Sequence, residues 1–148
     1  MIKNLFIPPV LLFLGLILMT LLCVLTPVLN RIPFPINLIG IIIAISGFAI
    51  MGKTRMLFKR YKTTLYIEKS SHFITEGVFT WTRNPMYIGM FLILFGFAIG
   101  SMNLCSLLIP VGFLLIIRFH FIPKEEMMME ETFGQEYLDY KSFVRRWI

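Results

Sequence analysis

The sequence predicts an all-α integral membrane protein: four transmembrane helices, the third and fourth paired as a helical hairpin, and a C-terminal interfacial amphipathic helix. Three observations carry this expectation. Of the 148 residues 57% are hydrophobic and the mean hydropathy is +0.81, too apolar for a soluble domain. The apolar residues gather into four segments, at about 5–26, 36–51, 86–99 and 104–122, and a span takes roughly 20 residues. Basic residues are segregated. Lys53, Arg55, Lys59, Arg60, Lys62, Lys69 and Arg83 fall between the second and third segments, Lys3 precedes the first, and Lys141, Arg145 and Arg146 follow the last. The other two loops hold Arg31 alone. The positive-inside rule then puts both termini and the 53–83 loop in the cytoplasm, which four spans satisfy.

The first segment is too long for the apolar core of a cleaved leader, and no small-residue cleavage site follows it, so it is expected to stay as a span. Pro27, Pro33 and Pro35 stop it and fix a tight turn. Beyond residue 51, Met56, Leu57, Phe58, Tyr61, Leu65 and Tyr66 alternate with basic residues, as in a cytoplasmic continuation of the second helix. An irregular stretch with Ser70, Ser71 and Gly77 follows, and Val78, Phe79 and Trp81 suit the membrane interface. The third segment is short for a span unless Arg83 and Asn84 lie at the headgroups. Only Gly100–Asn103 separates it from the fourth, so the two form an antiparallel hairpin. Gly96 and Gly100 have the spacing that lets helices approach closely.

After Ile122 the pattern turns amphipathic. Pro123 suits the first turn of a new helix, and Glu125 and Glu126 suit the positive end of its dipole. Gly134 is the expected cap. A second helical stretch from Gln135 puts Tyr137, Tyr140, Val144 and Trp147 on one face, resting on the bilayer or on the bundle. The whole chain, 1–148, reads as one domain without repeats, with residues 123–148 as its cytoplasmic C-terminal helix.

Several function classes drop out. The basic residues serve topology and anionic lipids, and no soluble basic domain exists to bind nucleic acid. Cys23 and Cys105 lie in apolar segments as small buried residues, and with His72 and His120 they make no metal spacing. None of the eight acidic residues lies in an apolar segment, which argues against a small proton-coupled transporter. A non-enzymatic four-helix scaffold is the remaining alternative to an enzyme.

The stretch Gly77-Val-Phe-Thr-Trp-Thr-Arg83-Asn84-Pro85-Met-Tyr87-Ile-Gly89 sets charged and polar groups against the start of an apolar helix. Such groups beside a bilayer carry a desolvation cost and are usually kept for a task. Downstream runs Glu125-Glu126-x-x-Met129-x-x-x-Phe133-Gly134-x-x-Tyr137-x-x-Tyr140, closing on Val144-x-Arg146-Trp147. Together these resemble the Arg-His/Asn-Pro-x-Tyr-x-Gly signature and acidic tail of small membrane methyltransferases, among them isoprenylcysteine carboxyl methyltransferase and phosphatidylethanolamine N-methyltransferase. Phe58 and Thr63-Thr64 resemble an element of bacterial members, and the likeness covers roughly residues 58–148.

The resemblance implies S-adenosylmethionine as methyl donor, with S-adenosylhomocysteine as product, bound at the cytoplasmic end of the hairpin. It implies Gly77, Arg83, Asn84, Pro85, Tyr87, Gly89, Glu125 and Glu126 as cofactor-binding residues, with Arg83, Asn84 and Tyr87 at the reacting centre and no metal. The residues agree chemically. The cofactor carries an ammonium, a carboxylate and a sulfonium, so its site needs acids, a base and apolar walls. Glu125 and Glu126 suit the ammonium or the ribose hydroxyls, and Arg83 suits a carboxylate held bidentately. Asn84 stands where the family often has His, which leaves hydrogen bonding but removes imidazole proton transfer. The acceptor is expected to be lipophilic, reached from the bilayer, and the location an inner (cell) membrane of a bacterium. Glu130 and Glu131 read as solvated and Met127–Met129 as packing or lipid contacts. Arg118 and His120 read as snorkelling, with Arg118 also a candidate for the pocket wall.

Overall fold

The computed structural model describes residues 7–29, 33–61 and 73–147; Lys3, Arg31, Lys62, Thr63, Thr64, Leu65, Tyr66, Lys69, Ser70, Ser71 and His72 lie outside them. The fold is all-α, as expected. Helix α1 spans Ile7–Leu25, α2 Ile36–Arg60, α3 Pro85–Gly100, α4 Leu108–Ile116, α5 Ile122–Phe133 and α6 Gln135–Phe143. Short 3-10 turns cover Pro27–Leu29, Gly77–Thr80 and Leu104–Leu107.

Three stretches are long and apolar enough to cross a membrane: Pro8–Leu25, Ile36–Arg60 and Leu104–Phe133. Their outward faces carry large apolar side chains, such as Phe13, Leu25, Ile42, Phe48, Leu108 and Phe119. Bare apolar surface over whole helices is what a lipid-facing wall requires, so this is an integral membrane protein. The shorter α3, 16 residues, is the buried centre. Met90, Ile93, Leu94 and Ala98 lie in the core with Leu12 and Met19 of α1 and Phe113 of α4. The 25 residues of α2 span about 37 Å at 1.5 Å per residue, more than the ~30 Å hydrocarbon layer. Its last turns, with Lys59 and Arg60, therefore project beyond the layer, as the sequence suggests.

The expected hairpin of α3 and α4 is present, and α3 packs chiefly against α2. Within a bilayer, helix association rests on close packing rather than on hydrophobic burial. Here the close face is Gly40, Ala44 and Gly47 of α2 against Gly89, Ile93 and Gly96 of α3. A Cβ at Gly47 would stand 2.6 Å from the Gly89 carbonyl oxygen and 2.9 Å from the Ile93 nitrogen. Gly47→Ala should accordingly cost about 1–3 kcal/mol through overpacking. Gly52→Ala, five residues along the same helix with nothing within 4 Å, should leave stability equal or slightly higher. Thermal unfolding in detergent checks the pair, and equal melting temperatures would refute this crossing.

Pro123 lies in the first turn of α5, as expected, but α5 follows α4 without a break: the helical run continues from Leu104 to Phe133, and a π-helical turn, Ile117–Phe121, precedes the proline. Proline has no N–H and its ring crowds the carbonyl four residues earlier. The wider turn re-registers the hydrogen bonds at that point. This sets the rotation of α5, and with it the direction in which Glu125 and Glu126 face.

The turn between α3 and α4 is tied to the end of α1. The fully buried Asn103 amide donates to the Thr26 carbonyl at 3.1 Å and to Thr26 Oγ1 at 3.0 Å. Its Oδ1 accepts from the Cys105 N–H at 2.9 Å. Cys23 and Cys105 are both free and partly buried, in keeping with the expected packing role.

Candidate active site

The site forms where the start of α3 meets α5 and the C-terminal tail. Asn84 is the N-cap of α3 and Pro85 its first residue, where a missing N–H costs nothing. That start aims Arg83 across at α5. Arg83 Nη1 lies 3.2 Å from Glu126 Oε1, with both side chains more than nine-tenths buried. One turn into α3, the buried Tyr87 hydroxyl donates to Glu125 Oε1 in a short bond. Adjacent acids on α5 are thus split: Glu126 faces Arg83 and Glu125 faces Tyr87.

The tail closes this corner. Gly134, with φ +53°, ends α5 and turns the chain into α6, as its sequence position suggests. The aromatic face of α6 docks on protein rather than on lipid. Tyr137 is buried, and the Tyr140 hydroxyl donates to the Phe79 carbonyl at 2.6 Å. Phe73 stacks on Phe133, with ring centroids 5.2 Å apart, and meets both tyrosines edge-on. From Val144 to Trp147 the chain is not helical, so the helical part of the expected 123–148 region ends at Phe143. The tail crosses back over the signature instead. The Arg83 N–H donates to the Arg145 carbonyl at 3.1 Å, and Thr82 Oγ1 and Asn84 Nδ2 each donate to the Arg146 carbonyl at 3.1 Å. Arg146 also grips Glu126, Nη2 to Oε2 at 2.6 Å and Nε to Oε1 at 3.1 Å.

The expected site residues therefore divide. Arg83, Tyr87, Glu125 and Glu126 come together. Asn84 joins them, but its amide holds the tail, which is a positioning task. Pro85 is buried at the helix start and sets the direction of Arg83. Gly89 does not face this corner, because it lies in the α2–α3 crossing, where a Cβ would meet Met51 and the Gly47 carbonyl oxygen. Gly77, with φ +63°, lies against Leu57 on the other side of the signature segment. It lines a cleft of about 520 Å³ with Lys53, Met56, Arg60 and Trp81. Arg118 and His120 are exposed on the π turn, and the His120 ring lies 3.2 Å from Lys124 Nζ rather than against the acidic pair. Thr82, Tyr137 and Arg146 are site-forming residues that were not among those expected; their positions in the tail pattern and beside Arg83 were the available signal.

The electrostatics are lopsided. Glu126 has two guanidinium partners, whereas Glu125 has the neutral Tyr87 hydroxyl. Glu125 keeps a little exposed surface. Burial raises the pKa of the Tyr137 and Tyr140 hydroxyls, so both stay protonated at neutral pH. Arg83 Nε and Nη1 are buried and make no hydrogen bond among the described residues, although Nη1 stands 3.2 Å from Glu126 Oε1 as an ion pair. Unmet donors on a buried charge are expensive, and such groups mark sites where something else binds.

Comparison with known proteins decides the family. The model of the phospholipid methyltransferase family matches residues 29–136, well over half of the chain. The chain belongs to the phospholipid methyltransferase family. The chain is 34% identical over 117 residues to protein-S-isoprenylcysteine O-methyltransferase of Xenopus laevis, which covers 74% of this chain and 39% of the frog protein. The mouse (Mus musculus) protein of the same name is 36% identical over 75 residues, 48% of this chain and 25% of its own length. An uncharacterized protein of Haemophilus influenzae is 38% identical over 63 residues, 43% of this chain and its entire length. The chain thus spans about two fifths or less of the isoprenylcysteine O-methyltransferases named here. Arg83 and the Glu125-Glu126 pair lie about forty residues apart in the chain yet share one corner.

Proposed function

We propose that this protein transfers a methyl group from S-adenosylmethionine to a lipophilic acceptor at the cytoplasmic face of a bacterial inner membrane. The observation that carries the reading is the buried Arg83 guanidinium, whose Nε lacks an acceptor among the described residues, beside a carboxylate pair. That donor set fits the amino-acid end of the cofactor. Arg83 would hold its carboxylate, and Glu125, the acid without a cationic partner, would take its ammonium. Bound there, the sulfonium supplies an activated methyl that leaves sulfur as the acceptor's electron pair attacks.

The chain's own residues position and enclose. The tyrosine and phenylalanine cluster of α6 shields the corner from water, and the tail ties α3 to α5. Alignment and exclusion of water are the main protein contribution to such a displacement, worth up to ~7–11 kcal/mol. No proton need be removed from an acceptor that arrives as a carboxylate or thiolate. The relatives' names point to an isoprenylated cysteine, whose carboxylate meets this condition. The basic end of α2 and the basic tail support a cytoplasmic site.

Membranes carrying the protein, given S-adenosylmethionine labelled in the methyl group, should label N-acetyl-S-farnesylcysteine and leave phosphatidylethanolamine unlabelled. Label in phosphatidylethanolamine alone would replace the acceptor, and label in neither a broad lipid extract nor the farnesyl cysteine would reject the activity.

A further inference from the structure

Arg146 follows Glu126 by twenty residues and lies outside every helix, yet it is fixed more firmly than a surface arginine. Its guanidinium takes both oxygens of Glu126, and its carbonyl accepts from Thr82 and Asn84. One consequence concerns Arg83. A carboxylate facing a single guanidinium turns to accept two parallel N–H bonds from it. Glu126 does not do this toward Arg83. Its Oε1 stands 3.2 Å from Arg83 Nη1 as an ion pair, and Nη1 and Nε of Arg83 are left without a hydrogen bond.

We infer that Arg146 is a positioning residue for the methyl-donor site: by gripping both oxygens of Glu126 it prevents that carboxylate from closing on Arg83, and so keeps Arg83 open to the donor's carboxylate. The inference rests on the methyltransferase reading above. Arg146 neutralises Glu126 from the tail side, where it is about one-third exposed. Arg83, buried on the inner side, then meets Glu126 through the Nη1 ion pair alone, which leaves its Nε for the ligand's carboxylate.

The test uses full-length protein in detergent and two ligands, S-adenosylhomocysteine and its decarboxylated analogue, which keeps the ammonium. In Arg146→Gln, Glu126 is free to close on Arg83. Affinity for S-adenosylhomocysteine should fall about tenfold or more, while affinity for the decarboxylated analogue stays within about twofold. Arg146→Lys, which still neutralises Glu126, should retain most of the affinity. Adding Glu126→Gln to Arg146→Gln removes the closing carboxylate and should restore much of the loss.

A tail that serves only to hold the fold gives a different pattern. Both ligands would weaken together, and the second substitution would not rescue; either result overturns the inference. If Arg146→Gln does not fold, Arg146→Lys decides: affinity retained for both ligands, or a loss confined to S-adenosylhomocysteine, supports the inference, and equal weakening of both ligands overturns it. Absence of S-adenosylhomocysteine binding in wild type would instead sink the methyltransferase reading itself, before any variant is compared.

Discussion

Arg83→Ala should weaken S-adenosylhomocysteine binding by about 30-fold to several thousand-fold, the loss expected when one partner of a buried charged hydrogen-bond pair is removed, roughly 2–5 kcal/mol. The fold should survive, because Arg146 still pairs with Glu126 after the change. A cycle with the decarboxylated ligand makes the result specific. If Arg83 meets the carboxylate, removing both the side chain and the carboxylate costs little more than removing either one. Additive losses would mean that Arg83 acts elsewhere. Titration calorimetry of the two proteins with the two ligands provides all four values.

Glu125→Ala and Glu126→Ala should fail in opposite ways, although the residues are neighbours. Glu126 stands between Arg83 and Arg146, so its removal leaves two guanidiniums facing each other with no counter-charge. Breaking a buried pair from one side costs about 3–5 kcal/mol, somewhat less here because Arg146 is partly exposed. Glu126→Ala should therefore melt well below wild type even without ligand. Glu125 has no cationic partner, only the Tyr87 hydroxyl. Glu125→Ala should keep its melting temperature within a few degrees while ligand binding is lost. Melting curves and titrations on both variants check the contrast. Two proteins equally stable and equally unable to bind would show that the acids share one role.

These predictions rest on a corner that was partly legible in the sequence. Arg83 and the Glu125-Glu126 pair stood out because charge at the ends of apolar segments is unusual, and their pairing needs only that α3 and α5 start at the same end of the bundle. Which acid faces which partner was not legible. That depends on the rotation of α5, which the π turn at Ile117–Phe121 sets, and a continuous helix through Pro123 was not the expected reading. Arg146 was equally hidden, since its approach to Glu126 depends on Gly134 reversing the chain and on α6 docking through Tyr137 and Tyr140.

The four apolar segments gave the helices, yet not their neighbours. Hydropathy marks what is buried from water, whereas inside a bilayer the contacts are chosen by size. Gly40, Ala44 and Gly47 are therefore the residues that join α2 to α3, although the short 101–103 turn drew attention to α4. Gly89 misled for a related reason. It falls inside the signature, five residues from Asn84, but on the helix face turned to α2.

The most direct measurement is isothermal titration of the purified wild-type protein in detergent with S-adenosylhomocysteine. The account predicts saturable, one-site binding in the micromolar range that is lost in Glu125→Ala. No binding by protein shown to be folded, or binding unchanged in Glu125→Ala, would contradict it.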